Sequence, residues 1–232
     1  MRHSCTEMKA VVIFGAPGSG KSTQARLIAD KEGLFFFDTG RFVDALVHNP
    51  ANAKNKIIQR ERLLYDTGKL MTPSFVTREV IKKTKQISKM GSGIILSGSP
   101  RTMEEAFGRD GKGGLVKTFE ELYGKKNVFF FSLDVKEKNA RVRNASRQLC
   151  SVCKAPIVGI FNLPITQCPF CGGKLIRRFD DNPKIFSTRI AEYQERTRPI
   201  LNELHKRRFT VHHINGDVLP FKVFASIISR LS

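Results

Sequence analysis

The chain has 232 residues, 41% of them hydrophobic, enough to build one or two domains around a packed core and too many for a disordered polymer. Forty Lys and Arg against 21 Asp and Glu leave a formal charge of +19, so the partners it attracts are anions: phosphorylated small molecules, nucleic acid or an anionic surface. No apolar run approaches the roughly 20 residues of a membrane span, and Met1–Lys9 holds no long apolar segment. A cytoplasmic protein with neither a signal peptide nor a membrane partner is therefore expected.

In chain order, Ala10–Phe14 is a continuous apolar run, the pattern of a strand buried on both faces. A glycine-rich turn follows, then a helical pattern over Gly20–Lys31 and a second short strand, Leu34–Phe37. Thr39–Met71 reads as helix throughout. Strands are predicted again at Gly93–Ser97, Asn127–Leu133 and Phe209–Ile214, with a glycine-rich loop at Gly108–Gly114 and a closing helix at Leu219–Leu231. Strand–helix alternation predicts an α/β fold with a five-stranded parallel sheet flanked by helices. Thr39–Met71 and the Pro-, Gly- and Cys-rich segment Cys150–Arg178 break that rhythm. Both are expected as insertions on the carboxyl edge of the sheet, where open α/β sheets bind ligands.

The glycine-rich turn, Gly15-Ala16-Pro17-Gly18-Ser19-Gly20-Lys21-Ser22, fits the phosphate-loop pattern and sits between a strand and a helix, the context that pattern requires. Its glycines let backbone N–H groups turn inward around phosphate oxygens, and the following helix adds its positive end. Lys21 would reach the β- and γ-phosphates of a nucleoside triphosphate and Ser22 would hold Mg²⁺. Phosphoryl transfer concentrates negative charge, so positioned arginines are the expected catalysts. Arg101 follows a strand, Arg143 and Arg147 are spaced to share one helix face, Arg178 precedes Phe-Asp-Asp-Asn-Pro, and Arg189 lies in the next helix.

Four of the five cysteines form two Cys-x-x-Cys pairs, Cys150/Cys153 and Cys168/Cys171, with fourteen residues between them. This is the spacing of a closed, structural tetrahedral Zn²⁺ site in a reducing compartment, one whose metal supplies the folding energy of a segment too poor in apolar residues to fold alone. A zinc ribbon that binds nucleic acid is the alternative. The charge surplus favours it, while the sparse aromatics Phe161, Phe170 and Phe179 disfavour it. Cys5 is expected to be a free thiol. The histidines His3, His48, His205, His212 and His213 share no catalytic or metal spacing.

Over about residues 9–218 the chain resembles adenylate kinases of the long form with a zinc-carrying lid. The resemblance is carried in order by "GAPGSGKSTQA", "TGKLMT", "GSPRT", "LDV…RVRNASR", the paired Cys-x-x-Cys, "CGGKLIRRFDDNP" and "STRIAEYQERTRPIL". It implies transfer of the ATP γ-phosphoryl to AMP with Mg²⁺, by a monomer. The implied organisation is a core (1–38, 73–147 and 183–232), an AMP-binding arm (39–72) and a zinc lid (148–182). It also implies that Gly18, Ser19, Gly20, Lys21, Ser22 and Thr23 hold the ATP phosphates, with Arg143 and Arg147 at ATP. AMP would be met by Thr39, Gly40, Arg41, Lys69, Met71, Gly98, Arg101 and Glu105. Lys21, Arg101, Arg147, Arg178 and Arg189 would be catalytic, the last two also touching AMP, and Asp180 and Asp181 would mark the lid hinge.

The sequence departs from the family pattern at the acceptor side. An aspartate that orders water around Mg²⁺ is Ser97, the phenylalanine after the glycine is Ser99, a second acid is Arg41, an AMP-phosphate arginine is Asp44, and the glutamine that reads adenine is Glu105. Asp38, immediately before Thr39-Gly40, resembles the pattern of cytidylate kinases and could compensate for Ser97; Arg41 could stand in for the arginine missing at Asp44. These departures keep two alternatives open: a kinase for CMP, UMP or GMP, and a nucleotide-binding protein of weakened catalysis with affinity for nucleic acid.

Overall fold

The structure is a computed structural model that describes residues 8–111, 113–153, 155–157, 165–177 and 183–231. The first strand, β1 (Ala10–Gly15), is buried along its whole length, which explains its unbroken apolar sequence. The phosphate loop leads into α1 (Lys21–Glu32), which ends at a left-handed Gly33 before β2 (Phe35–Asp38). The arm follows: α2 (Thr39–Val47), a 3₁₀ turn at Pro50–Asn52 and α3 (Lys56–Asp66). After α4 (Pro73–Lys89), β3 (Ile94–Ser97) returns to the sheet; α5 (Met103–Phe107) and α6 (Gly114–Tyr123) lead to β4 (Val128–Asp134). Then come α7 (Glu137–Ser146), a small antiparallel sheet of β5 (Gln148–Cys150), β6 (Pro156–Ile157) and β7 (Leu175–Ile176), and α8 (Pro183–Glu192). A π-helical turn at Tyr193–Thr197, α9 (Arg198–Lys206), β8 (Val211–Asn215) and α10 (Pro220–Ile228) complete the order.

The main sheet has the strand order β2-β3-β1-β4-β8, parallel at every pairing. The expected five-stranded parallel fold is the one observed. One face packs Val12, Phe14, Phe37, Leu96 and Phe130 against the arm, α4, α6 and α9. The other packs Val11, Ile13, Ile95 and Phe131 against α1 and α10. The neighbours β1 and β3 send their connections in opposite directions, one to β2 and one to β4, so the crevice beyond their carboxyl ends is the binding position of such a sheet. The register aligns Ile13 with Ser97 and Ser97 with Asp38, which brings the phosphate loop, Ser97 and Asp38 to the same edge.

One helix expectation is corrected. Arg143 lies in α7 but Arg147 does not: it is the residue that leaves the helix, with extended dihedrals (φ −71, ψ 130). The chain turns there because Leu149 and Cys150 pair with β7, and that pairing overrides the local helical pattern. The closing helix also stops at Ile228 rather than Leu231, with Arg230 and Leu231 in turn-type backbone bonds.

Candidate active site

The phosphate loop is held in the shape its glycines permit. Gly18 has φ 80, and a Cβ there would collide with the carbonyl of Ala140 in α7. Gly20, with φ 91, is the left-handed residue that starts α1. Lys21 Nζ donates to Ala16 O at 3.1 Å, across the loop. Ser22 Oγ and Ser97 Oγ lie 2.8 Å apart, which joins the loop to the end of β3. Thr23 is exposed in the first turn of α1, and the Ser19 hydroxyl is buried without a hydrogen-bond partner among the described residues.

Lys21 carries the electrostatic signature of this edge. Its pKa is lowered to about 7, first by desolvation of the ammonium and then by the charges of Arg189, Arg101 and Arg147; Asp38 is the acid that opposes them. Three arginines from three separate elements thus converge on the loop lysine. Without a bound anion they repel it, and a polyphosphate would relieve that repulsion. Lys21, Arg101 and Arg189 line one cleft, together with Pro17, Gly98 and Tyr193 among others. Arg101 is fixed twice: its Nε donates to Gly98 O at 2.6 Å, and its carbonyl accepts from Thr197 Oγ1 at 2.8 Å. The π-helical turn supplies that threonine, an instance of the tendency of such turns to occur beside functional sites. Arg143 instead donates from Nη1 to Gly216 O at 2.8 Å, which ties α7 to the turn after β8. Arg178, Asp180 and Asp181 lie outside the described residues.

A second pocket opens beside the first and shares Leu70, Gly98, Ser99 and Arg101 with it. Thr39, Lys69, Met71 and Glu105 line it, together with Val43, Tyr65 and Val76 from the arm and α4. The hydroxyls of Thr39 and Ser99 are buried there with no hydrogen-bond partner among the described residues. Buried polar atoms of that kind are the ones a polar ligand would satisfy. Gly40 sits close to Arg101, since a Cβ on it would lie 3.8 Å from Nη2. Arg41 is exposed, and its backbone N–H donates to Asp38 Oδ1 at 3.2 Å. Asp44 does not line the pocket and pairs with His48 at 2.9 Å.

Sequence reasoning passed over Glu61, Tyr65 and Thr197. Glu61 is fully buried and accepts from the Thr72 amide at 2.7 Å and the Thr72 hydroxyl at 2.6 Å. It thereby fixes the strip Gly68–Met71 that walls the pocket. The only signal for it was an acidic residue at an otherwise core-facing helix position, which sequence periodicity alone does not distinguish from a surface charge.

The four sulfur atoms of Cys150, Cys153, Cys168 and Cys171 lie within 4.8 Å of one another. The separations Cys150–Cys171 and Cys153–Cys168 are 3.4 and 3.7 Å. A tetrahedral Zn–S₄ centre with bonds of about 2.3 Å places its sulfurs about 3.8 Å apart, so the cluster fits that ion. The Val152 and Cys153 amides donate to Cys150 Sγ at 3.3 and 3.4 Å, support that a thiolate uses. The apolar content around it is small, Ile157 with Ala155, Ile165 and Leu175. Elemental analysis is expected to find one zinc per chain, and Cys153→Ser/Cys171→Ser to lose it and to expose 148–177 to proteolysis. A full metal complement in that variant would remove the two exposed thiols from the ligand set.

This fold, with the loop at the carboxyl end of β1, defines a phosphate-loop nucleotide-binding protein. An AAA domain model matches residues 14–149. The chain is 33% identical over 201 residues to the adenylate kinase of Chlamydia pneumoniae, covering 84% of this chain and 85% of that one. It is 29% identical over 223 residues to the adenylate kinase of Agathobacter rectalis (95% and 98%), and 29% identical over 223 residues to that of Clostridium tetani (95% and 97%). The chain belongs to the adenylate kinase family.

Proposed function

We propose that the protein transfers the γ-phosphoryl of Mg·ATP to AMP, reversibly, giving two ADP. Family membership supports a nucleoside monophosphate kinase. The observation that carries the reading furthest is the pair of adjoining pockets with Arg101 between them, one closed by Lys21 and Arg189 and the other lined by Thr39, Met71 and Glu105. In this reading the phosphate loop, Gly18 to Thr23, holds the donor phosphates, Arg101 grips the acceptor phosphate, and Lys21, Arg147 and Arg189 offset charge that builds on the transferred group. Mg²⁺, when bound, would neutralise charge on the donor phosphates; the Ser22 hydroxyl would hold it, with the Asp38 carboxylate at the same sheet edge. The core, the arm (39–72) and the lid (148–182) are the three working parts, and the lid's task is to keep water from the triphosphate.

A coupled assay of Mg·ATP with AMP, CMP, UMP and GMP tests this. At about pH 6, turnover is expected with AMP at a kcat/KM at least tenfold above the other three. A preference for another monophosphate would leave the kinase and discard the acceptor. Absence of turnover with all four, despite ATP binding, would discard the activity. In that case the +19 charge makes RNA the next ligand, read by a salt-dependent retention whose slope counts phosphates.

A further inference from the structure

The wall of the second pocket holds a carboxyl group in an unusual setting. Glu105 is 2% exposed. Its Oε2 accepts the Arg101 amide at 2.9 Å, and its own amide is capped by Thr102 Oγ1 at 3.1 Å, so the side chain is held in place. The Arg101 guanidinium spends its Nε on Gly98 O instead of on this carboxylate. Arg196, on the π-helical turn, is exposed and paired with Glu192 at 3.5 Å. Lys69 and Tyr65 line the same pocket, and Ser99 Oγ stands beside it outside hydrogen-bond geometry. Among the described residues this buried carboxyl has one amide donor and no ion pair, and for such a group neutrality costs little.

An ionised carboxylate only accepts hydrogen bonds, whereas a carboxylic acid both donates and accepts. Adenine offers, on its pairing edge, an amino donor next to a ring-nitrogen acceptor. A protonated Glu105 can meet both: its O–H donates to the ring nitrogen and its second oxygen accepts from the amino group. Guanine offers two adjacent donors, which an ionised Glu105 would accept together. We propose that Glu105 selects the acceptor base by its proton, taking adenine as the acid and guanine as the carboxylate. This rests on the reading of the second pocket as the acceptor site.

Burial supports it quantitatively. Desolvation raises the carboxyl to about pKa 7 against the Arg101 amide, the Arg101 charge, the Ser99 hydroxyl and the Arg196 charge, all of which favour ionisation. The group is therefore divided between its two forms at neutral pH. Because a ligand that needs one form binds in proportion to its population, AMP affinity should fall and GMP affinity rise as pH increases through that value.

The test is calorimetric binding of AMP and of GMP to the full chain at about pH 6 and about pH 8.5, with turnover measured alongside. Both ligands carry the same 5′-phosphate, so titration of the phosphate cancels in the ratio of their Kd values. The ratio is expected to move toward GMP by about three hundredfold between the two pH values, and to stay level in Glu105→Gln, which binds AMP at both. A constant ratio in the native chain, with AMP bound at both, would overturn the proton-selected base and leave AMP as the acceptor. The same drift in Glu105→Gln would overturn it by assigning the titration to another group. GMP bound at both pH values and AMP at neither would overturn the adenylate kinase reading together with the acid form of Glu105.

Discussion

Lys21→Met is expected to lower turnover about a thousandfold while raising the melting temperature of the nucleotide-free protein. The first effect follows from removing a preorganised cation from the place where the γ-phosphoryl would travel; single donors of this kind are worth about 10²–10³ in rate. The second follows from what surrounds the lysine. Its pKa falls from 10.5 to about 7, through desolvation first and then Arg189, Arg101 and Arg147. The unfolded chain therefore binds more protons than the folded one between about pH 7 and pH 10.5, so stability rises with pH across that window, and below it the folded state carries the full cost of the charged ammonium. Methionine keeps the length of the side chain and removes the charge, so at pH 7 the variant should melt about 2 °C or more higher. ADP formation and thermal unfolding without ligand measure the two effects on one preparation. Unchanged turnover would take Lys21 off the phosphates, and a lower melting temperature would show that the ammonium is held without strain.

The same residue shows which parts of this molecule were readable in advance. The loop around Lys21 was legible because its chemistry is local: glycines at fixed offsets, a buried strand before, a helix after. The central strands β1, β3 and β4 were legible for a related reason, since a strand buried on both faces must be largely apolar, as in Val11–Phe14 and Phe130–Phe131. What could not be read depends on contacts between distant segments. Arg147 has the spacing of a helix-face residue, but the pairing of β5 with β7 draws it out of α7. The grip of Thr197 on Arg101 joins residues 96 apart, through a π-helical turn that sequence periodicity reads as ordinary helix. Glu105 is a further case. Nothing in "SPRTMEEAF" says which way it points, and the packing of α5 buries it in the wall of the second pocket.

Asp38→Asn is expected to cut turnover by about a hundredfold and to raise the Mg²⁺ concentration needed for half-maximal rate, and Ser97→Asp in the same chain to restore both. The carboxylate that the family pattern places at the end of β3 is absent here: that position is Ser97, whose hydroxyl meets Ser22 at 2.8 Å. Asp38 is its register neighbour on β2, at the same edge of the sheet. It caps α2 by accepting the Arg41 N–H through Oδ1, and the same oxygen would lie 3.3 Å from a Cβ on Gly40, on the side where Arg101 Nη2 would lie at 3.8 Å. Its charge also acts on Lys21, where it is the acid opposing three arginines. A negative charge has thus moved one strand sideways and remains within reach of the same loop. Asparagine caps a helix as well as aspartate does, so the substitution removes the charge and spares the fold. Titrating Mg²⁺ against Mn²⁺ at fixed ATP gives the readout. If Asp38→Asn kept its rate and its metal dependence, the carboxylate would be a cap and nothing more. Rescue by Ser97→Asp would show that what matters at this edge is a single negative charge, which either strand end can carry.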